Sequence, residues 1–374
     1  MSNTNLSSSK VYGEDSGSIT VGEKIGEGQE GAVYRLENQP EYAIKIFSEF
    51  DNNEKEAKIK SMIRNAPVDP TYENKKERSI VWPIDSISDS SGRFLGYKME
   101  YKDLSEYTNI RDYARSQLKW NSTKPYERYI TALNFTLVIK AIHVQGHALG
   151  DLNHQNILIK DSIISLIDCD AFHIKGDKLY EGNTVFGRYT PPEGRGQSIG
   201  EVKTADRFGL AVHIFQLLME AFHPYQADPK NSYVGKYEKM IIENDYPYIN
   251  STAENPHDLA PDYEQLHPKV KQLFKECFLH GENDPSRRPT ADEWIDVFEE
   301  IVDVETESVS VNSSSDSTKN KPNQSKKTKS STTKPSSSAT NYSSDPEPVS
   351  ADVAGGKIRP ELVFHQPQYR FKTN

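Results

Sequence analysis

The sequence predicts an α+β fold in two parts, a small antiparallel β-sheet with one helix followed by a larger and mainly helical part, with a disordered C-terminal tail. Three observations carry this. Short apolar runs separated by turn residues occupy the first hundred positions, at 19–21, 42–47, 80–87 and 94–101. Apolar residues then recur at spacings of three and four, as in Ile130, Leu133, Leu137, Ala141 and Val144. From about residue 304 the chain turns to Ser, Thr, Lys, Asn and Pro and holds too little apolar surface to offset its entropy.

Composition sets the frame for these elements. A length of 374 residues suffices for one two-part unit plus a tail, and a hydrophobic content of 35% implies that some of the chain stays outside any core. The net charge of -10 argues against a general binder of nucleic acid or of anionic membranes. Cys169 and Cys277 are too few for a disulfide framework and lack metal-ligand spacing; Cys169 reads as a buried filler in a reducing compartment. The polar first ten residues have no apolar core of the signal-peptide kind, and no stretch approaches about 18 apolar residues. A cytoplasmic protein without nucleic-acid or membrane partners is expected.

Taken in order, residues 1–16 are rich in Ser and Asn and are expected to be disordered, and 17–303 form the folded unit, divided near 101. After the first strand come Gly26, Gly28 and Gly31, then Val33. A glycine hairpin has no side chains to keep its backbone from lying close over phosphates. The strand 42–47 alternates its faces, so Lys45 points under that hairpin while Ile44 and Ile46 pack the other way. A buried lysine needs a partner, and the helical pattern at 53–63 offers Glu56 beside the apolar face of Ile59 and Ile63. The competing arrangement is an exposed helix whose charges pair along its own surface.

The central stretch runs from Leu149 to Asp170. Asp151 and Asn156 stand five residues apart before one apolar run, and a second run ends at Asp168, so a hairpin over 157–167 folds Asp168 back toward Asn156. Asp151 is placed to take a proton from an attacking hydroxyl, and the amide and acids supply the oxygen ligands magnesium prefers. Asp168 follows its strand directly; Asp170 is the alternative ligand. The pattern 206–220 is apolar nearly all round and predicts a buried helix, with His213 as a core histidine. Helices follow at 268–278 and 290–302, the latter capped by Thr290. Residues 304–352 are expected as a Ser/Thr-rich linker and 353–374 as a short apolar and aromatic segment suited to docking a partner.

Set in series, Gly26-Xaa-Gly28-Xaa-Xaa-Gly31-Xaa-Val33, Ala43-Ile44-Lys45, Met99-Glu100-Tyr101, Asp151 with Asn156, Leu166-Ile167-Asp168, Pro191-Pro192-Glu193, Asp206 and Arg288-Pro289-Thr290 resemble the catalytic domain of eukaryotic-type protein Ser/Thr kinases, in a divergent prokaryotic branch, over about residues 19–302. The resemblance implies a bilobal protein-kinase-like fold with lobes at about 17–101 and 102–303. It also implies ATP- and Mg-dependent transfer of the γ-phosphoryl group to protein hydroxyls, and the tethered Ser/Thr-rich linker adds an expectation of autophosphorylation. By the same resemblance Gly26, Gly28, Gly31, Val33 and Ala43 enclose the nucleotide, and Lys45, paired to Glu56, holds its α and β phosphates. Met99 is the gatekeeper, and the backbone of Glu100 to Lys102 binds adenine. Asp151 is the base, Asn156 and Asp168 hold magnesium, Glu193 and Arg288 form a bracing ion pair, and Asp206 supports the catalytic loop.

The chain departs from the family at three places. Leu149-Gly150 replaces His-Arg, Asn153 replaces a lysine, and Asp170 replaces a glycine. They leave open a nucleotide-binding scaffold that recruits a partner, or a kinase of small molecules.

Overall fold

The computed structural model describes residues 6–49, 53–72, 77–116, 125–182, 187–194, 198–227, 237–249 and 255–315, with side chains omitted at 125–126 and 304–315. The docking segment and the linker beyond Ser315 lie outside these residues.

Six antiparallel strands make up the N-terminal part: β1 (Lys10–Gly13), β2 (Gly17–Glu27), β3 (Gly31–Leu36), β4 (Tyr42–Phe47), β5 (Asp85–Ser88) and β6 (Phe94–Glu100). Their order is β1-β2-β3-β4-β6-β5, the small antiparallel sheet expected, and β5 returns to β1 through Tyr12↔Ser88 and Gly13↔Ile87, which closes it into a barrel. Val11, Val21, Ile44, Ile87 and Leu95 fill its interior. The expectation of disorder up to residue 16 is therefore corrected. Ser and Asn dominate the composition there, but the short alternation at 10–13 buries Val11, and the Asp85 carboxylate ties down the following turn by accepting bonds from the N–H groups of Asp15 (3.1 Å) and Ser16 (2.8 Å).

The run at 80–87 is strand only from Asp85. Pro83 has no N–H to give to a ladder, and the preceding residues do something else. Val81 N–H donates to the Leu166 carbonyl (2.9 Å) and Leu166 N–H to the Ser79 carbonyl (2.8 Å), which joins the barrel side to the strand leading to Asp168. Between β4 and β5 lies α1 (Asn53–Arg64), which buries Ile59 and Met62, and the Trp82 indole N–H donates to the Met62 carbonyl (2.8 Å).

The C-terminal part contains β7 (Thr108–Asn109), α2 (Ile110–Arg115), α3 (Pro125–Val144), the hairpin β8 (Ile157–Lys160) and β9 (Ile163–Leu166), the short pair β10 (Ile174–Lys175) and β11 (Leu179–Tyr180), and α4 (Ile199–Leu218), α5 (Tyr237–Ile242), α6 (Pro268–Lys275) and α7 (Ala291–Ser315). The β8–β9 turn takes positive φ at both central residues, Asp161 (49°) and Ser162 (64°), the form that matches the twist of a two-residue hairpin. A capping box between Ser198 and Glu201 starts α4, whose buried residues include Phe208, Val212 and Phe215. Thr290 and Glu293 form another: Glu293 N–H donates to Thr290 Oγ1 (3.3 Å) and Thr290 N–H to Glu293 Oε2 (2.7 Å). The backbone of α7 runs on to Ser315, beyond the expected start of the linker, because extending a helix costs far less than nucleating one. No helix among the described residues is long and apolar enough to cross a membrane.

Three buried histidines make the packing sensitive to pH. Burial pushes His213 and His223 down to about 3 and lowers His147 as well. An unfolded histidine binds its proton near pH 6.5. As pH falls below that value the unfolded chain takes up protons that the folded rings refuse, so stability declines. The urea midpoint at pH 5 is expected below that at pH 7. An unchanged midpoint would show that these rings accept protons in the folded state.

Candidate active site

A cleft of about 500 Å³ opens between the barrel and the helical part, and Gly26, Val33, Ala43, Lys45, Met99 and Asn156 are among the residues lining it, with Glu100, Lys102 and Asp168. Tyr101 N–H donates to the Glu41 carbonyl (2.9 Å), and the continuous run from Met99 through Lys102 borders the cleft. The side chains of Glu100 and Lys102 are engaged with each other in an ion pair of 2.7 Å.

The three glycines of the β2–β3 hairpin are not equivalent. Gly26 lines the cleft, and Gly28 N–H donates to the Gly31 carbonyl (2.8 Å) to close the turn. A Cβ on Gly31 would lie 2.2 Å from the Ile46 carbonyl oxygen, whereas one on Gly28 meets nothing within 4 Å. Gly31 is thus required by the approach of β3 to β4. Gly31→Ala is expected to cost about 1–3 kcal/mol of stability through forced backbone displacement, and Gly28→Ala to stay within about 0.5 kcal/mol. Equal urea midpoints for the two variants would refute this.

Lys45 is buried, and its Nζ lies 2.6 Å from Asp168 Oδ1 and 2.9 Å from each oxygen of Asp170. Burial alone would lower its pKa, but the charges of Asp170 and Asp168 outweigh that and raise it. The expected partner Glu56 is instead bonded to Lys60 one helical turn away (3.2 Å). That corrects the expected pairing: β4 already has two acids within reach of Lys45, and Glu56 turns along the surface of α1. Tyr97 OH donates to Asp170 Oδ1 (2.7 Å). Neither Tyr97 nor the pairing of Asp170 with Lys45 was anticipated. The β4–β6 register sets Lys45 opposite Tyr97, so cross-strand pairing is the signal that would have found the tyrosine.

The two acids sit differently. Asp168 lines the cleft with its side chain 48% exposed, while that of Asp170 is 4% exposed and lies behind Lys45. Asp168 also adopts a left-handed backbone, φ 61° and ψ 37°, uncommon for a residue with a side chain and concentrated at functional sites. Burial first, and then the charge of Asp170, raise its pKa against the opposing pull of Lys45. Asp168 and Asn156 present one carboxylate and one amide toward the cleft. That is a fitting donor set for magnesium, which keeps waters and takes phosphate oxygens in preference to a closed protein cage.

Asp151 stands in a loop fixed from beneath by α4. Asp206 accepts the N–H groups of Leu149 (2.8 Å on Oδ2) and Gly150 (2.9 Å on Oδ1), and His143 Nε2 lies 3.0 Å from Oδ2. His213 Nε2 bonds the Leu152 carbonyl (2.7 Å), so the expected core histidine also braces this loop. Gly209 allows the close approach, since a Cβ there would lie 2.7 Å from Leu152 Cδ1. Gly150 has φ 72°, a conformation in which glycine is unstrained. The Asn153 side-chain oxygen Oδ1 accepts from Gln155 N–H (3.1 Å) and caps the turn leading to Asn156. Arg288 grips Glu193 with two bonds, 2.6 and 2.7 Å, as expected for that pair.

A model of the protein kinase domain family matches residues 19–297. Among curated proteins the chain is similar to protein kinase YegI of Escherichia coli K12, 26% identical over 309 residues that cover 78% of this chain and 46% of that protein. It is similar also to protein kinase YegI of Escherichia coli O157:H7, 26% identical over 294 residues, 74% of this chain and 44% of that one. The chain spans less than half the length of these relatives.

Proposed function

Because the chain belongs to the protein kinase domain family, we propose that it is a cytoplasmic, ATP- and Mg-dependent protein serine/threonine kinase. The observation that carries this is the convergence on one cleft of Lys45, Asn156 and Asp168, beside a loop that Asp206 and His213 hold in place around Asp151. Gly26, Val33 and Ala43 wall the nucleotide, and the backbone at Glu100 and Lys102 meets its base beside the gatekeeper Met99. Lys45 neutralises the α and β phosphates. Asn156 and Asp168 hold magnesium, which supplies charge neutralisation to the phosphates when bound. Asp151 accepts the proton of the acceptor hydroxyl as it attacks in line with the γ phosphate.

The Ser/Thr-rich linker places acceptor hydroxyls on the same chain at high effective concentration, so autophosphorylation belongs to this reading. Protein substrates and a partner for the C-terminal segment complete it. The rival, a nucleotide-binding scaffold, is favoured by Asn153: its side-chain Oδ1 caps a turn where the resemblance calls for a cation. Incubation of the full chain with labelled ATP, magnesium and generic protein acceptors separates the two. Transfer to serine or threonine that Asp151→Ala abolishes supports the kinase. ATP binding without any transfer supports the scaffold.

A further inference from the structure

We infer that Asp170, rather than a carboxylate on α1, is the positioning residue that holds Lys45 toward nucleotide phosphates, and that α1 turns lysines toward this acid. The inference rests on the reading of the cleft as a nucleotide site.

Lys45 meets Asp170 symmetrically, 2.9 Å to each oxygen, and both side chains are nearly sealed from solvent, at 8% and 4% exposure. Tyr97 OH fixes one of those oxygens from β6. The shorter contact, to Asp168 at 2.6 Å, involves a side chain that is half exposed in the cleft. A divalent cation arriving with a nucleotide competes with Lys45 for that exposed carboxylate. It does not reach Asp170, which lines no part of the cleft. The two acids therefore divide the work, Asp168 facing the phosphates and Asp170 retaining the lysine. A buried ammonium that lost both partners would carry a heavy desolvation cost, so the retained partner decides whether Lys45 stays in place.

The charges on α1 are consistent with this inversion. Neither of its carboxylates meets Lys45: Glu56 pairs with Lys60, and Glu54 pairs with Lys178 at the edge of the cavity that Asp170 also lines. Toward the acid it turns Lys55, whose Nζ lies 4.8 Å from the centre of the Phe47 ring, and Lys58, whose Nζ donates to the Glu181 carbonyl (2.9 Å). Lys55, Lys58 and Asp170 line a common cavity of about 380 Å³ with Glu181. Burial lowers Lys58 to about 8 against the opposing charges of Asp170 and Glu30. Since Asp170 sits on the 3-10 turn Cys169–Ala171 directly after Asp168, Lys45 is positioned without a carboxylate from α1. Movement of that helix then leaves the lysine armed.

Calorimetry of ATP binding to the full chain, in EDTA and again in magnesium, tests this with Asp170→Asn and Glu56→Gln. Loss of a charge-assisted bond to Lys45 is expected to weaken ATP by about tenfold in both conditions for Asp170→Asn, and by less for Glu56→Gln. Weakening that appears only with magnesium would make Asp170 a metal ligand and overturn the inference, as would a larger loss for Glu56→Gln. A wild-type chain that binds no ATP would sink the nucleotide reading instead. Urea denaturation then still decides the pairing. The Lys45→Met and Asp170→Asn shifts in midpoint are expected to be non-additive, those of Lys45→Met and Glu56→Gln additive; additivity of the first pair would overturn the inference.

Discussion

Asp151→Asn is expected to lower phosphoryl transfer by about 10²–10⁴-fold while leaving ATP affinity close to that of the wild type. The loop around Asp151 is fixed by bonds to other residues: Leu149 and Gly150 N–H to Asp206, and the Leu152 carbonyl to His213. Replacing the carboxylate with an amide of the same shape therefore removes proton acceptance without dismantling the support. The nucleotide contacts assigned to Lys45, Asn156 and Asp168 lie on other segments. Single-turnover transfer measured beside calorimetric ATP affinity checks both halves. Transfer within threefold of the wild type would show that the acceptor hydroxyl loses its proton elsewhere.

The second large effect concerns stability. Glu193→Ala is expected to destabilise the chain by about 3 kcal/mol, the lower end of the range for stranding a buried charge without its partner. Arg288 has a side chain with 0% exposure, and Glu193 is 40% exposed, which is why the lower end applies. With Glu193 removed, the guanidinium retains only the Thr204 carbonyl at 3.3 Å as a described bonded partner of Nη1, and its plane stays packed toward Phe208. The double variant Glu193→Ala with Arg288→Met is expected to recover part of the loss, because it removes the stranded charge. Urea unfolding of both variants measures this. A double variant no more stable than the single one would place the cost in the loop at 191–193 rather than in the unpaired cation.

Strong periodicity and strict spacing made most of the fold legible. α4 is buried on every side from Phe208 onward, the spacing of Ile130, Leu133 and Leu137 marks α3, and two apolar runs joined through Asp161 and Ser162 announce the β8–β9 hairpin. What escaped was set by contacts between distant segments. Val11 stands among mostly polar residues, and its strand shows only in the pairing of β1 with β2, Val11 opposite Ile19, and with the distant β5. Glu56 was chosen from its place beside Ile59 and Ile63, a criterion that locates a residue on a helix face and says nothing of a competing acid arriving from residue 170. The glycines were read as one motif, yet Gly31 answers to the Ile46 carbonyl and Gly26 to the cleft. Asn153 looked like a missing cation and proves to cap a turn.

The pairing of β1 with β5 has a further meaning for how this chain meets others. An open sheet presents a row of unpaired N–H and C=O groups along its outermost strand, and any extended peptide of suitable pattern can add itself there. A barrel whose last strand returns to its first has spent those groups on itself. Along Tyr12 and Gly13, where β1 meets β5, the edge is thereby closed to an added strand.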